Sequence, residues 1–314
     1  MVSRILFIGG TTASGKSELA VAVARRAGAL VVNADAQQLY RDLPILTARP
    51  GPAEEARAEH RLYGLLPPEA ATSAGRWLEL VLPVLRQAEG EGRPVVLVGG
   101  TGLYMKCLLE GLAPIPPIPP EIRAHFRSLA LPAPELHRML AARDPVTAAR
   151  LRPGDRQRIL RALEVLETTG RPLAELQRAT VPPLDLGGRV RGIALLPPRE
   201  RLLERIVRRL DAMLAAGALE ELAALHARRP ELEELPIARV HGCREFLAFL
   251  AGRATREWAR QRTIEVTRRY AKRQRTFFRH QLPAFALHEA TGASLPDLAR
   301  ELGDWLLGRD GASC

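Results

Sequence analysis

Three cysteines, Cys107, Cys243 and Cys314, are all that this chain of 314 residues has, and none stands in a CxxC pair or at metal-ligand spacing. That gives no support to a disulfide framework or a zinc site, and it fits a reducing compartment. No apolar run approaches the length needed to cross a bilayer. The short apolar N-terminus leads straight into a glycine-rich loop and reads as a first core strand, not a signal sequence. The expectation is a soluble, cytoplasmic protein with no membrane partner. Aromatics supply only 4% of the residues, and lysine is confined to Lys16, Lys106 and Lys272. The remaining basic residues are all arginine, a bias that reflects a GC-rich genome more than chemistry. With 46 basic against 35 acidic residues the formal net charge is +11, which favours an anionic partner, nucleic acid first. The length suffices for one large core or two unequal domains.

What is present centres on Gly10-Thr11-Thr12-Ala13-Ser14-Gly15-Lys16-Ser17. The stretch follows an apolar run at 5–8 and opens a helix over 17–27. Strand, glycine loop, Lys-Ser and helix, in that order, make a phosphate-binding loop. Its glycines let backbone amides point at a phosphate without side chains in the way. The helix N-terminus adds partial positive charge, Lys16 a full one, and Ser17 a hydroxyl for Mg²⁺.

A second strand over 29–32 ends at Asn33-Ala34-Asp35. A third, over 94–98, follows a helix at 76–89 and runs into Gly99-Gly100-Thr101-Gly102. Continuous apolar strands separated by helices predict a parallel sheet with helices on both faces and its chemistry beyond the strands' carboxyl ends. The phosphate loop, Asp35 and Thr101 therefore share one rim. Asp35 suits a base or a water-mediated Mg²⁺ partner; helix capping is the competing role, for which Asn33 also qualifies. The third strand lacks the aspartate of an NTP-hydrolysing enzyme, which counts against an ATPase motor or switch. Its glycines suit close backbone approach to a ligand.

Five prolines within 113–120 make an extended connection. Residues 121–170 are helical in pattern, and Pro182-Pro183 precede a strand over 190–196. Residues 1–115 and 187–314 are expected to form a P-loop α/β core, and 116–186 a helical insertion. Long helices dominate 199–281, followed by a short strand at 285–287 and a closing helix over 295–307. On a helix over 155–164, Arg158 and Arg161 share a side. Residues 267–279 hold six basic residues and no acidic one. Arg268, Lys272, Arg275 and Arg279 recur at i, i+4, i+7 and i+11, a continuous stripe suited to a phosphate backbone. Tyr270, Phe277 and Phe278 interleave, available for stacking on bases or for core packing. His60, His241 and His280 read as surface or hydrogen-bonded histidines.

In this order the motifs resemble the tRNA dimethylallyltransferases, the tRNA isopentenyltransferase family. The family loop Gly-Pro-Thr-Ala-Ser-Gly-Lys-Thr appears as GTTASGKS from Gly10, and Asp-Ser-x-Gln-x-Tyr-Arg as DAQQLYR from Asp35, followed by Thr-Ala-Arg-Pro at Thr47 to Pro50. Gly-Gly-Thr-Gly-Leu-Tyr is intact from Gly99. DRQRILRALEV from Asp155 and TRRYAKRQRTFFR from Thr267 match an insertion-domain helix and a C-terminal signature. Three departures stand out. Thr11 replaces the loop proline, Ala36 replaces a serine, and His241-Gly242-Cys243-Arg244-Glu245 replaces Ile-Gly-Tyr-Lys-Glu, losing the aromatic.

The resemblance implies transfer of a five-carbon group from dimethylallyl diphosphate to the exocyclic amine of the adenosine 3′ of the anticodon in tRNA. It implies Asp35 as general base, with Thr101 holding the base or the diphosphate by its hydroxyl. Gly10 to Ser17 would bind the diphosphate, with Mg²⁺ as cofactor near Ser17. The tRNA anticodon stem-loop would meet Asp35, Ala36, Gln37, Gln38 and Thr101. It would also meet Arg123, Gln157, Arg158, Ile159, Leu160 and Arg161 of the insertion, and Arg268, Lys272, Arg275 and Arg279. A monomer is expected. The competing readings are a P-loop kinase of a small metabolite, a prenyltransferase of free adenine nucleotides, and a non-catalytic RNA-binding module.

Overall fold

A computed structural model describes residues 3–289 and 294–309; Cys314 lies outside them. In chain order the first half runs β1 (Ile5–Gly10), α1 (Lys16–Ala27), β2 (Leu30–Asn33), α2 (Pro44–Thr47), α3 (Pro52–Glu55), β3 (His60–Arg61), α4 (Ala74–Gly90), β4 (Val95–Val98) and α5 (Gly102–Glu110). There follow α6 (Pro120–Ser128), α7 (Ala133–Arg143), α8 (Pro145–Ala148), α9 (Arg156–Thr169) and α10 (Leu173–Arg178). The last part holds β5 (Val190–Leu195), α11 (Arg199–Ala215), α12 (Ala218–Arg228), α13 (Cys243–Leu250), α14 (Arg256–Gln281), β6 (Ala286–His288) and α15 (Leu295–Leu306).

Every residue of β1, β2 and β4 is buried, as apolar strands of a parallel sheet covered on both faces must be. The strands order as β3-β2-β4-β1-β5-β6, all parallel. β1 lies between β4 and β5, with Ile5 opposite both Val95 and Val190. The expected α/β architecture is present, with one addition: β3, two polar residues at the edge, too short to leave an alternation in the sequence. Side chains alternate across β1. Leu6 and Ile8 pack with Leu19 and Val23 of α1 and Leu298 and Leu302 of α15. Phe7 points the other way, 5.8 Å from the ring of Phe285, which in turn lies 6.3 Å from Phe278 of α14. Each such side chain, fully enclosed, stabilises the fold by about 1.5–3 kcal/mol.

The chain divides into two compact units. One comprises Met1–Cys107 with Asp185–Cys314 and carries the sheet; the other is Leu108–Leu184. The second has its own core, in which Phe126, Leu136, Leu140, Ile159 and Leu163 enclose one another. Where its two connecting strands of chain run side by side, Gly111 adopts φ +93° and leaves no room for a methyl group beside the backbone of Val181.

Candidate active site

The phosphate loop departs from β1 through residues that few side chains tolerate. Gly10 has φ +143° with the Leu195 carbonyl of β5 where a Cβ would stand, Gly15 has φ +92°, and Ala13 accepts φ +58°. Thr11 N donates to Leu195 O at 3.3 Å. A proline, the family's residue at this position, has no N–H to make that bond, so the substitution ties the loop to β5. Lys16 is buried, and its Nζ donates to Thr11 O at 3.1 Å. Burial lowers its pKa to about 8; the Asp35 carboxylate opposes that shift, and the Arg209 guanidinium adds to it.

Asp35 hangs from the end of β2 in a turn held on both sides. Its amide donates to Asn33 Oδ1 at 2.8 Å, and Asn33 Nδ2 spans to Asp35 O and Leu62 O, both at 3.0 Å. One carboxylate oxygen, Oδ1, accepts Gln37 N at 3.0 Å, and Oδ2 accepts Gly100 N at 3.3 Å. No α-helix follows Asp35 directly, so its carboxylate is fixed by a local turn and not spent as a helix cap. Thr101 acts on the same turn: its Oγ1 accepts Ala36 N at 3.0 Å, and it hydrogen-bonds the Tyr270 hydroxyl. Ala36 lacks the family serine's hydroxyl, but its amide keeps this support.

The glycines after β4 correct one expectation. Their close approach is to the chain itself. A methyl group on Gly99 would overlap the Ala34 backbone, one on Gly100 the Gln274 amide, and one on Gly102 the Phe277 ring. On β1, Gly9 stands in the same relation to Phe278. Three residues of α14 thus seat in glycine notches on the carboxyl rim. Gln274 is buried there: Thr12 N donates to its Oε1 at 2.8 Å, and its Nε2 donates to Gly100 O at 2.9 Å. It joins the phosphate loop to the Gly99–Gly102 loop, a role the sequence did not reveal. Phe277 and Phe278 are accordingly packing residues, not base-stacking ones.

A cavity opens between these parts, lined by Thr12, Ala13, Lys16 and Ser17 of the phosphate loop and by Asp35, Gln37, His241 and Tyr270. Leu46, Ile206, Leu210 and Met213 give it an apolar wall, into which Arg209 of α11 also enters. Arg205, one turn earlier, donates to Ser14 O at 3.3 Å. Burial lowers the Arg209 pKa, against the pull of Asp35. Two arginines therefore reinforce Lys16; in a helix with arginines at 199, 201, 205, 208 and 209, no spacing signal singled them out. The Thr101 hydroxyl meets the turn at Ala36 N and not at Asp35, so it acts on the carboxylate through the backbone. Cys243, where the family has an aromatic, is enclosed, and burial pushes its thiol up to about 12, so it is an inert packing residue.

On α14, Arg268, Lys272 and Arg279 are exposed along one face. Arg275 is half-buried and donates to Pro197 O, with Arg279 and Arg199 near enough to depress its pKa after burial does so. The other two basic residues of this stretch are engaged: Arg269 pairs with Glu265 at 3.2 Å, and Arg273 lies 5.5 Å over the Tyr270 ring. Within the second unit, Gln157, Arg158 and Arg161 are exposed on α9 and Arg123 on α6. Arg158 lies 3.5 Å from Asp155, and Arg161 lies 3.9 Å from the buried Glu164. Ile159 is fully enclosed and Leu160 packs half-buried against the same core. Ile159 is therefore corrected to a core residue, since helical geometry turns it away from the basic face. Among the described residues no group of three or more His, Cys, Asp or Glu stands where it could hold a metal ion, and none of the helices described is long and apolar enough to cross a membrane.

The profile of the IPP transferase family matches residues 38–281. A tRNA dimethylallyltransferase of Rhodospirillum centenum is 50% identical over 285 residues, covering 89% of this chain and 90% of its own length. That of Methylocella silvestris is 47% identical over 296 residues, covering 94% and 97%. Among solved structures, a eukaryotic dimethylallyltransferase acting on tRNA matches 98% of this chain and 80% of its own at 25% identity and a TM-score of 0.84. The tRNA isopentenylpyrophosphate transferase of Bacillus halodurans matches 98% of each chain at 27% identity and a TM-score of 0.68.

Proposed function

The chain belongs to the IPP transferase family, and from that premise we propose that it moves a dimethylallyl group from dimethylallyl diphosphate to the exocyclic amine of the adenosine 3′ of the anticodon in tRNA. The observation that carries this reading is the Asp35 carboxylate, fixed by two backbone amides, lining one cavity with a phosphate loop. An adenine amine is a weak nucleophile because its lone pair is delocalised into the ring. As the nitrogen bonds to the allylic carbon, the carbon–oxygen bond to the diphosphate breaks and takes its electron pair with it. Asp35 accepts the proton that the amine then sheds. Lys16, Arg209 and the loop amides meet the negative charge that gathers on the leaving group. The wall of Leu46, Ile206, Leu210 and Met213 suits the five-carbon tail.

Ser17, exposed at the loop, offers one hard oxygen ligand. That fits Mg²⁺ arriving with most of its remaining ligands from the diphosphate and water, the way this ion binds phosphate substrates. When bound, it would add further positive charge at the leaving oxygens. The anticodon stem-loop finds complementary charge in Arg268, Lys272, Arg275 and Arg279 of α14, and in Arg123, Arg158 and Arg161 of the second unit. The target adenosine has to leave its stack, at a cost of a few kcal/mol. The protein acts as a cytoplasmic monomer. Family membership removes the small-metabolite kinase and the non-catalytic module. Prenylation of free nucleotides is tested by offering AMP in place of tRNA, which we expect to give no turnover.

The decisive measurement is mass analysis of tRNA after incubation with dimethylallyl diphosphate: the wild-type protein adds one five-carbon unit at the adenosine beside the anticodon. Asp35→Ala binds tRNA with unchanged affinity and loses at least about 10²-fold in transfer rate. A variant that kept more than a small fraction of the rate would remove Asp35 as the base.

A further inference from the structure

His241 and Gln37 stand at positions where this chain does not follow, or is not bound by, the family pattern: the first replaces an isoleucine, and the second fills the unspecified place after Ala36. In the structure both line the cavity and touch each other. His241 N donates to Gln37 Oε1 at 3.2 Å. A backbone N–H only donates, so this bond fixes which end of the Gln37 amide is which. Its Nε2 then lies 3.1 Å from His241 Nδ1 and 3.4 Å from His241 Nε2. An amide NH₂ needs an acceptor, and a neutral imidazole offers one at whichever ring nitrogen is unprotonated. Burial, with a smaller push from Arg273, lowers its pKa to about 4 against the pull of Asp35, so the ring stays an acceptor through the physiological range. The Tyr270 ring, 4.6 Å away and edge-to-face, holds its orientation.

The consequence passes to the base through the body of a single residue, Gln37. The residue clamped at both ends of its side chain is the one whose main-chain N–H holds Asp35 Oδ1 at 3.0 Å. We propose that His241 is a positioning residue for the transfer step: through the Gln37 carboxamide it locks the turn that presents the Asp35 carboxylate. In this role it acts through Asp35 and not on a reacting atom. The proposal rests on the prenyl-transfer reading above, and its test separates the two.

Steady-state transfer kinetics are measured on wild type, His241→Phe, His241→Asn, Gln37→Met and the double variant His241→Phe/Gln37→Met. Phenylalanine keeps a ring against Tyr270 but offers no acceptor. Asparagine sets an oxygen near the place of Nδ1. We expect His241→Phe and Gln37→Met each to lower kcat about tenfold, with KM for both substrates within about twofold. His241→Asn restores most of kcat, and the double variant is no worse than either single one. Ring ¹⁵N shifts of the wild-type protein should show a neutral imidazole, one nitrogen bare and one protonated, at neutral pH. If His241→Phe keeps wild-type kcat, if Asn fails to rescue, or if the two single losses multiply, the positioning role is overturned. A wild-type protein that transfers no prenyl group overturns the family reaction, and the positioning role with it.

Discussion

Gln274 shows how much one side chain can hold in this site. Its amide uses both ends, accepting from Thr12 and donating to Gly100, in a place closed to water. Gln274→Leu keeps the volume and leaves a buried N–H and a buried carbonyl without partners, which costs about 1–3 kcal/mol for each group so stranded. We expect a lower melting temperature and a rise of about tenfold in KM for dimethylallyl diphosphate, with KM for tRNA nearly unchanged, measured by thermal melts and steady-state kinetics. Equal losses in both KM values would count against a link specific to the phosphate loop. The sequence announced the loop itself, Asp35 and Thr101, because glycines, Lys-Ser and strand ends carry their chemistry in their order. Gln274, Arg205 and Arg209 were hidden for a physical reason. A lone glutamine in a basic helix and two arginines among five leave no periodic trace, and their partners are main-chain atoms that no motif encodes.

The helix that carries Gln274 has two faces with different legibility. On α14 the stripe of Arg268, Lys272, Arg275 and Arg279 was readable because like charges at helical spacing have no acidic neighbour to answer them. The opposite face was not. It buries Ala259, Thr263, Ala271 and Gln274 beside Ile264 and Phe278, a mixture too polar to look like a core stripe. The stripe itself makes a prediction at this scale. Lys272→Ala combined with Arg279→Ala should weaken tRNA binding and reduce the slope of log affinity against log salt by about one per residue removed. KM for dimethylallyl diphosphate stays unchanged. A salt slope equal to that of wild type would mean that this face meets no phosphates. β3 was missed for want of length, and the insertion helices were found because residues 121–170 keep a helical period throughout.

Over the whole molecule, the site is a concentration of like charge awaiting its counterion. Lys16 is buried with Arg209 near enough to depress its pKa. A diphosphate stabilises the folded state by mass action, by about 2.7 kcal/mol at a hundred times its dissociation constant. The anion raises the Lys16 pKa from about 8 in the free protein, so binding takes up a proton above that pH. The gain in melting temperature with diphosphate should therefore be largest below pH 8 and shrink as pH rises through it; Lys16→Met should abolish both the gain and its pH dependence. A shift of equal size in wild type at pH 7 and pH 9.5 would argue against Lys16 as the titrating grip. The glycine notches that receive α14 have another consequence, one of timing. The phosphate loop is synthesised well before residues 274–278, which satisfy its Thr12 amide and fill the notches at Gly9, Gly100 and Gly102. During synthesis the loop therefore remains an unfinished half-joint until α14 emerges to close it.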